Sequence, residues 1–214
     1  MKYGKILDIS VDLNENTYTY PGDPELEYVE LYSTAKGDRV NLSGVKMSLH
    51  QGTHVDAPYH MFANGMKIDE IPMEHWIGKT YVADMTHICE CIRDFDILLK
   101  KDILKHKRVL FKTKNSVNCI SGSEPYGDNI YLDESACRLL ADSNVITVGF
   151  DYLTIDPLNS IDFPAHKELL SKNICIIENI KLDGVSEGEY HMVCLPLKVT
   201  GRDGSPARVI LIEG

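Results

Sequence analysis

Short apolar runs rich in β-branched residues recur along the whole chain and limit it to folds built around a large β-sheet. Eight runs have this character, at residues 6–11, 40–49, 80–85, 109–113, 145–150, 174–180, 192–199 and 209–212. Two of them directly follow a helix signal. Asp133 opens a helical pattern ahead of the run at 145–150, and Pro164 opens another ahead of the run at 174–180. This order predicts an α/β fold.

The end of the chain adds antiparallel strands to this fold. The segments 194–199 and 207–212 flank a turn that contains Gly204 and Pro206, which predicts an antiparallel pair and therefore a mixed sheet. No repeat, low-complexity stretch or Gly/Ser-rich linker divides the 214 residues, a length that one compact domain can hold. We predict a single domain over residues 1–214.

The charge of the chain disfavours two classes of partner. The formal net charge is -10, with acidic residues spread along the whole chain, and such a surface repels a phosphate backbone and an anionic membrane.

No apolar run approaches the roughly 18 residues of a membrane span, and Asp8 interrupts the apolar part of the N-terminus. The six cysteines form no Cys-x-x-Cys pair and predict no disulfide framework. We predict a cytoplasmic protein that binds neither nucleic acid nor membrane.

Metal-ligand side chains are concentrated in one short segment. Four of them lie at even-numbered positions: His50, His54, Asp56 and His60. In an extended chain they share a face, but a straight strand would hold the first and third about 20 Å apart. Gly52 and Pro58 allow the chain to bend there. The segment therefore predicts a metal site built on a bent loop.

Two other interpretations of this segment stay open. Histidines four positions apart bind zinc from one helix in zinc peptidases, but that motif needs an intervening glutamate, and Gly52 and Pro58 disfavour a helix. Alternatively, the histidines are ordinary polar residues of a surface loop. The density of ligand-type residues between positions 50 and 60 argues against that second interpretation.

An acidic residue inside an apolar run is the next candidate ligand. Glu178 shares a face with Ile176 and Ile180, where an unpaired carboxylate would be costly. Either a metal ion or a lysine or arginine should therefore neutralise it. His166, at the start of the preceding helix, can point toward the same end of the sheet, although a histidine there can equally be a surface residue or a cap.

With these residues, the chain resembles the cyclase family of metal-dependent hydrolases, which includes bacterial kynurenine formamidase and isatin hydrolase. The family signature His-x-Gly-Thr-His-x-Asp-x-Pro-x-His is matched at every fixed position by residues 50–60. Further similarity lies in the segments 20–23, 149–151, 166–179 and 203–208. The resemblance therefore covers almost the whole chain.

The resemblance implies a fold and a set of metal ligands. It implies an α/β domain with a mixed, barrel-like β-sheet core flanked by helices, of the swivelling β/β/α type, assembled as a homodimer or homotetramer. One divalent metal would be bound by His50, His54 and Asp56. Asp56 and Glu178 would bridge to a second metal, which His166 would also bind. Imidazole and carboxylate ligands suit zinc, two ions per subunit, or manganese in its place.

The resemblance also implies the chemistry. His60 would be the catalytic acid/base, since imidazole ionises near neutral pH. Tyr20, where the family's formamidases carry tryptophan, would bind the substrate. A divalent ion can lower the pKa of water toward about 7. We therefore expect a metal-dependent amidohydrolase acting on a small amide, with N-formylkynurenine as the leading substrate.

Two rival functions stay open. Tyrosine in place of tryptophan suits a cyclic amide or lactone hydrolase of the isatin hydrolase type. In a noncatalytic metal-binding protein, the site would instead be a structural metal site that stabilises the fold, here called a structural clasp. Structural zinc sites, however, usually have closed, cysteine-rich coordination.

Overall fold

The computed structural model describes residues 4–118 and 129–214. Its strands are β1 (Ile6–Asp8), β2 (Glu27–Tyr32), β3 (Leu42–Lys46), β4 (His54–Asp56), β5 (Ile77–Asp84), β6 (Cys91–Ile92), β7 (Arg108–Lys112), β8 (Tyr131–Leu132), β9 (Thr147–Phe150), β10 (Cys175–Glu178), β11 (Gly188–Pro196) and β12 (Gly204–Ile212). Its α-helices are α1 (Asp94–Leu99), α2 (Asn115–Asn118), α3 (Glu134–Ala141) and α4 (Pro164–Ser171). Short 3-10 helices cover Thr34–Lys36, Pro58–His60, Ile68–Glu70, Met73–His75 and Ile103–Lys105.

Seven of the strands close into a barrel-like sheet. Neighbouring strands follow the order β12, β11, β5, β7, β9, β10 and β4, and β4 pairs again with β12. The pairs β5–β7, β7–β9 and β9–β10 are parallel, whereas the remaining pairs of the ring are antiparallel. β1 extends the sheet along β12. The predicted mixed, barrel-like core flanked by helices is therefore confirmed.

Alternation of side chains along the strands separates two hydrophobic cores. Val55 and Ile177 belong to the cluster inside the barrel. Ile176, the neighbour of Ile177, belongs to the cluster that packs the outer face against the helices. The residues flanking Val55 and Ile177 therefore point outward, toward the helices. Because side chains alternate along a strand, Asp56 and Glu178, the neighbours of Val55 and Ile177, lie on the helix-covered face of β4 and β10.

The two predicted helices begin where their capping residues place them. Asp133 accepts a hydrogen bond from the backbone N–H of Ser135 at 2.8 Å and opens α3. Pro164 occupies the first turn of α4, where its missing N–H costs nothing. Asn173 follows α4 in the left-handed region, with φ of 58°, and leads into β10. Both helix predictions are confirmed.

Each of the eight predicted runs contains or overlaps a strand, although the bounds differ by several residues. The expected antiparallel pair near the C-terminus is β11–β12, with Cys194 opposite Val209. Among the described residues, no helix has the length and apolar character needed to cross a bilayer. The five cysteines in the described ranges are free thiols, and Cys119 lies outside those ranges.

The hairpin formed by β2 and β3 lies apart from the barrel sheet. Large apolar side chains are exposed on it: Tyr28, Val29, Leu31, Tyr32, Leu42 and Val45. A two-stranded sheet with exposed faces is marginally stable by itself. The homodimer or homotetramer implied by the resemblance stays a prediction.

Candidate metal centre

The register between β4 and β10 brings the two halves of the site together. Glu178 lies directly opposite His54, and Ile176 lies opposite Asp56, in an antiparallel pair. Partners in such a pair project to the same face of the sheet. Helix α4 covers this face and contributes His166. Each of the four polar residues is at most 4% exposed, so the cluster is enclosed between sheet and helix.

Each carboxylate of this cluster offers one oxygen to each imidazole. Nε2 of His54 lies 3.6 Å from Oδ1 of Asp56 and 3.4 Å from Oε2 of Glu178. Nε2 of His166 lies 3.5 Å from Oδ2 of Asp56 and 3.3 Å from Oε1 of Glu178. Ligands at about 2.0–2.2 Å from a tetrahedral cation lie roughly 3.3–3.6 Å from one another. The four donor pairs have the spacing of metal ligands rather than of hydrogen bonds.

The carboxylate of Asp56 tests this interpretation. The residue is 0% exposed, and neither of its oxygens has a hydrogen-bond partner in the described parts of the chain. An unsatisfied buried carboxylate is strongly disfavoured. Nδ1 of His50 is 2.8 Å from Oδ1, but the geometry is not that of a hydrogen bond. A divalent cation beside each oxygen would satisfy both, so the donor set fits a divalent metal.

Two hydrogen bonds fix the orientation of the buried imidazoles. Nδ1 of His54 lies 2.8 Å from the carbonyl oxygen of Gly52, and Nδ1 of His166 lies 2.6 Å from Oδ2 of Asp156. These acceptors place the proton on Nδ1 and leave the Nε2 lone pair for a metal. Gly52 has φ of 64°, and a Cβ there would lie 2.5 Å from Cδ2 of Leu13. The bend expected at this glycine thus holds the carbonyl against His54.

Asp156 has a second role in the same place. Its carboxylate also accepts hydrogen bonds from the backbone N–H groups of Ala165 at 2.8 Å and His166 at 3.2 Å, at the start of α4. The same side chain therefore satisfies the helix terminus and orients the ring of His166.

We expect Asp156→Asn to weaken metal binding about 10- to 100-fold, as is typical when the partner of a ligand histidine is changed. Competition with a chromophoric chelator measures this affinity. The matched control is Asp162→Asn, an exposed carboxylate that also precedes α4. Equal affinities for both variants would remove Asp156 from the metal site.

The charges of the cluster act on one another strongly. Burial alone would raise the pKa of Asp56, but the charge of His54 and the contacts from His166 and His50 hold it well below its usual range. Burial would lower the pKa of His166, yet the charge of Glu178 and the hydrogen bond to Asp156 raise it well above its usual value. The carboxylates therefore favour positive charge on the ring of His166. A divalent cation competes with protons for the same nitrogen lone pairs.

His50 and His60 share a third carboxylate, that of Asp203. Nε2 of His50 lies 2.6 Å from Oδ2 of Asp203, and Nδ1 of His60 lies 3.8 Å from the same oxygen. The rings of His50 and His60 are tilted against each other with centroids 4.2 Å apart. Burial opposes protonation of His50, but its hydrogen bond to Asp203 and the nearby charge of Asp56 raise its pKa to about 10.

A cavity of about 290 Å³ opens onto the cluster. Its walls include the predicted catalytic residue His60 and the predicted substrate-binding residue Tyr20, together with apolar side chains: Met61, Leu153 and Phe163. Phe163 adopts φ of 48°, a region that bulky residues rarely occupy. Its ring meets that of His166 edge-on at 6.0 Å. The volume is that of a small-molecule site.

The structure brings every site residue predicted from the sequence to this one place. Donor atoms within 4.8 Å of one another form the groups His50–His54–Asp56 and Asp56–His166–Glu178, which are the two predicted ligand sets. Their roles as ligands stay proposals. The ion pairs of Glu178 are with His54 and His166, and no lysine or arginine in the described ranges is paired with it.

Two functional carboxylates were missed by sequence reasoning. Asp203 joins His50 and His60 in a third donor group, and Asp156 orients His166. The family resemblance covers the segment 203–208, which contains Asp203, but implies no role for this residue. Asp156 carried no signal, since partners of ligand histidines follow no fixed spacing.

Comparison with known proteins agrees with this geometry. The Cyclase family model matches residues 7–157. Kynurenine formamidase of Bacillus anthracis is 31% identical over 217 residues, covering 99% of both chains. That of Salinibacter ruber is 34% identical over 208 residues, covering 96% of both.

Solved structures show the same architecture. A predicted metal-dependent hydrolase from Bacillus stearothermophilus superposes with a TM-score of 0.84 at 35% identity, covering 98% of both chains. Isatin hydrolase A from Ralstonia solanacearum shares the fold, with a TM-score of 0.85 at 19% identity, covering 98% of this chain and 92% of its own. The family match, the full-length relatives and the buried His/Asp/Glu cluster agree: the chain belongs to the cyclase family of metal-dependent hydrolases.

Proposed function

We propose that this protein is a metal-dependent amidohydrolase that cleaves an aryl formamide, with N-formylkynurenine as its substrate. One observation carries the proposal. The metal-spaced donors of His54, Asp56, His166 and Glu178 lie beside the small, partly apolar cavity that also contains His60. Full-length similarity to two kynurenine formamidases supports the choice of a formamide.

We propose two divalent cations per chain, zinc in the first place and manganese as the alternative. His50, His54 and Asp56 would hold one, and Asp56, His166 and Glu178 the other. The support is that two donor groups share Asp56. A bound divalent cation supplies Lewis acidity, which lowers the pKa of water and draws electron density from a carbonyl oxygen.

The residues of the chain supply positioning and proton transfer. In the reaction, water adds to the formyl carbon, the C–N bond breaks, and the amine nitrogen gains a proton as formate leaves. His60 lies on the cavity wall with Nδ1 on the side of Asp203, so Nε2 is the nitrogen available to deliver that proton. Phe163 and Tyr20 line the cavity, and we propose that they pack against the aromatic ring of the substrate.

Hydrolysis of N-formylkynurenine by the zinc-loaded protein tests the proposal. We expect steady turnover, followed as release of the free arylamine, and loss of that turnover when a chelator removes the metal. Restoring zinc or manganese should restore it. A metal-loaded protein with no formamidase turnover would contradict the proposal.

A second candidate is hydrolysis of a cyclic amide or lactone such as isatin. Tyr20 in place of the formamidases' tryptophan favours it. Side-by-side measurement of kcat/KM for isatin and N-formylkynurenine separates the two candidates. We expect the formamide to be the better substrate, and a higher kcat/KM for isatin would reverse the order.

A further inference from the structure

A tight turn sets two side chains on the cavity wall. Residues Tyr20 to Asp23 form it, with the N–H of Asp23 donating to the carbonyl oxygen of Tyr20 at 3.0 Å. Pro21 and Gly22 fill its central positions, and Gly22 has φ of 97°. Type II turns require a positive φ at this position, which glycine adopts without strain. The first and last residues of the turn, Tyr20 and Asp23, both line the cavity.

The carboxylate of Asp23 is not used by the protein itself. Its residue is half-buried, and within residues 4–118 and 129–214 the side chain has neither a hydrogen bond nor a salt bridge. It lines the same cavity as Tyr20. Burial raises the pKa of Tyr20, the charge of Glu178 adds to this, and the charge of Asp23 contributes in the same direction. Asp23 is therefore a free negative charge beside the place where a substrate ring would bind.

The imidazoles that line the cavity are paired with carboxylates other than Asp23. Of the side chains that line the cavity in the described ranges, none is a lysine or an arginine. Apart from Asp23, His60 and the proposed metal ligands, the wall consists of Met61, Leu153 and Phe163 with the neutral Tyr20 and Thr154. A cationic substituent of a ligand would find a partner at Asp23. An anionic substituent would find no lysine or arginine on the described cavity wall.

We propose that Asp23 binds an ammonium group of the substrate, so that the preferred substrate class is aryl formamides bearing an aliphatic ammonium group. This inference rests on the proposed function and specifies its substrate. N-Formylkynurenine carries such a group, together with a carboxylate, and isatin carries neither. The turn fixes the backbone of Asp23 at the cavity wall before the substrate arrives, which lowers the entropic cost of forming the ion pair.

Three aryl formamides separate charge recognition from catalysis. N-Formylkynurenine carries an ammonium and a carboxylate, N-formylkynuramine carries the ammonium alone, and formanilide carries neither. For the wild-type protein, we expect KM for N-formylkynuramine to be no higher than KM for N-formylkynurenine. Asp23→Asn should raise KM for both ammonium substrates about tenfold more than KM for formanilide, with kcat changed by less than about twofold.

Two controls accompany this comparison. Glu25→Gln removes a carboxylate from the same segment, but that residue is exposed and does not line the cavity, so the KM ratios should not change. For the wild-type protein, added salt should raise KM for the ammonium substrates more than KM for formanilide. The reason is that screening by salt weakens a half-exposed ion pair.

The outcomes separate the two proposals. If the wild-type protein hydrolyses all three formamides and Asp23→Asn shifts their KM values equally, or shifts none, the ammonium site is wrong while the formamidase function stands. If the metal-loaded wild-type protein hydrolyses none of them, the proposed function fails, and this inference fails with it.

Discussion

Replacing Asp56 by asparagine is expected to empty the metal site and abolish turnover. Its two oxygens face His54 and His166 separately, so the proposed ligand sets have this carboxylate in common. Asparagine keeps the shape but removes the charge and one oxygen donor. Loss of the Lewis acid costs several kcal/mol of transition-state stabilisation, so kcat/KM should fall about 10³-fold or more. Metal analysis by mass spectrometry and initial rates measure the two effects.

The control for this variant is another buried carboxylate. Asp96 is 6% exposed, accepts a hydrogen bond from the N–H of Arg93, and does not line the cavity. Asp96→Asn should keep both metal and activity. If Asp56→Asn does not fold, as judged by circular dichroism, Glu178→Gln tests the same site from β10. An Asp56→Asn protein with full metal content and wild-type rates would show that the cluster is not the catalytic centre.

His60→Ala is expected to separate catalysis from metal binding. His60 is outside both proposed ligand sets, and its side chain is 32% exposed on the cavity wall. Loss of a general acid typically costs about 10²- to 10⁴-fold in rate. We therefore expect kcat to fall by at least about 10²-fold while the metal content stays that of the wild type.

This variant also tests the noncatalytic alternative. A structural clasp predicts only a modest change in stability after the same substitution, with no turnover to lose. His87→Ala is the matched control, because His87 is exposed and lies away from the cavity. If His60→Ala and His87→Ala turn over substrate equally fast, another group must donate the proton.

The parts of the fold that follow from local rules could be predicted. Six of the eight apolar runs became strands of the barrel, whereas the run at 40–49 became β3 of the separate hairpin and the run at 6–11 became β1 at the edge of the sheet. Asp133 and Pro164 marked the starts of α3 and α4 correctly. Strands β6 and β8 have two residues each, too few for any periodicity to be visible. Strand β2 was missed because all six of its residues are exposed, so it lacks the alternation that a buried face imposes.

The site residues differ in how far the sequence alone predicts them. The segment 50–60 carries its ligands in one short stretch, with its bends at Gly52 and at Pro58, where a 3-10 helix begins. His166 could be assigned only through the family resemblance, since a histidine at a helix start has several ordinary roles. Asp203 reaches His50 across 153 positions of sequence. Such contacts are made by the closure of the barrel, which no local pattern encodes.

The central claim is that imidazoles from β4 and α4 and carboxylates from β4 and β10 surround divalent cations. Anomalous diffraction at the zinc absorption edge, from crystals grown with zinc, tests it most directly. The account predicts two peaks per chain, one about 2.0–2.1 Å from Nε2 of His54 and the other equally close to Nε2 of His166. A map with no peak between these imidazoles, in crystals that hold zinc elsewhere, would contradict it.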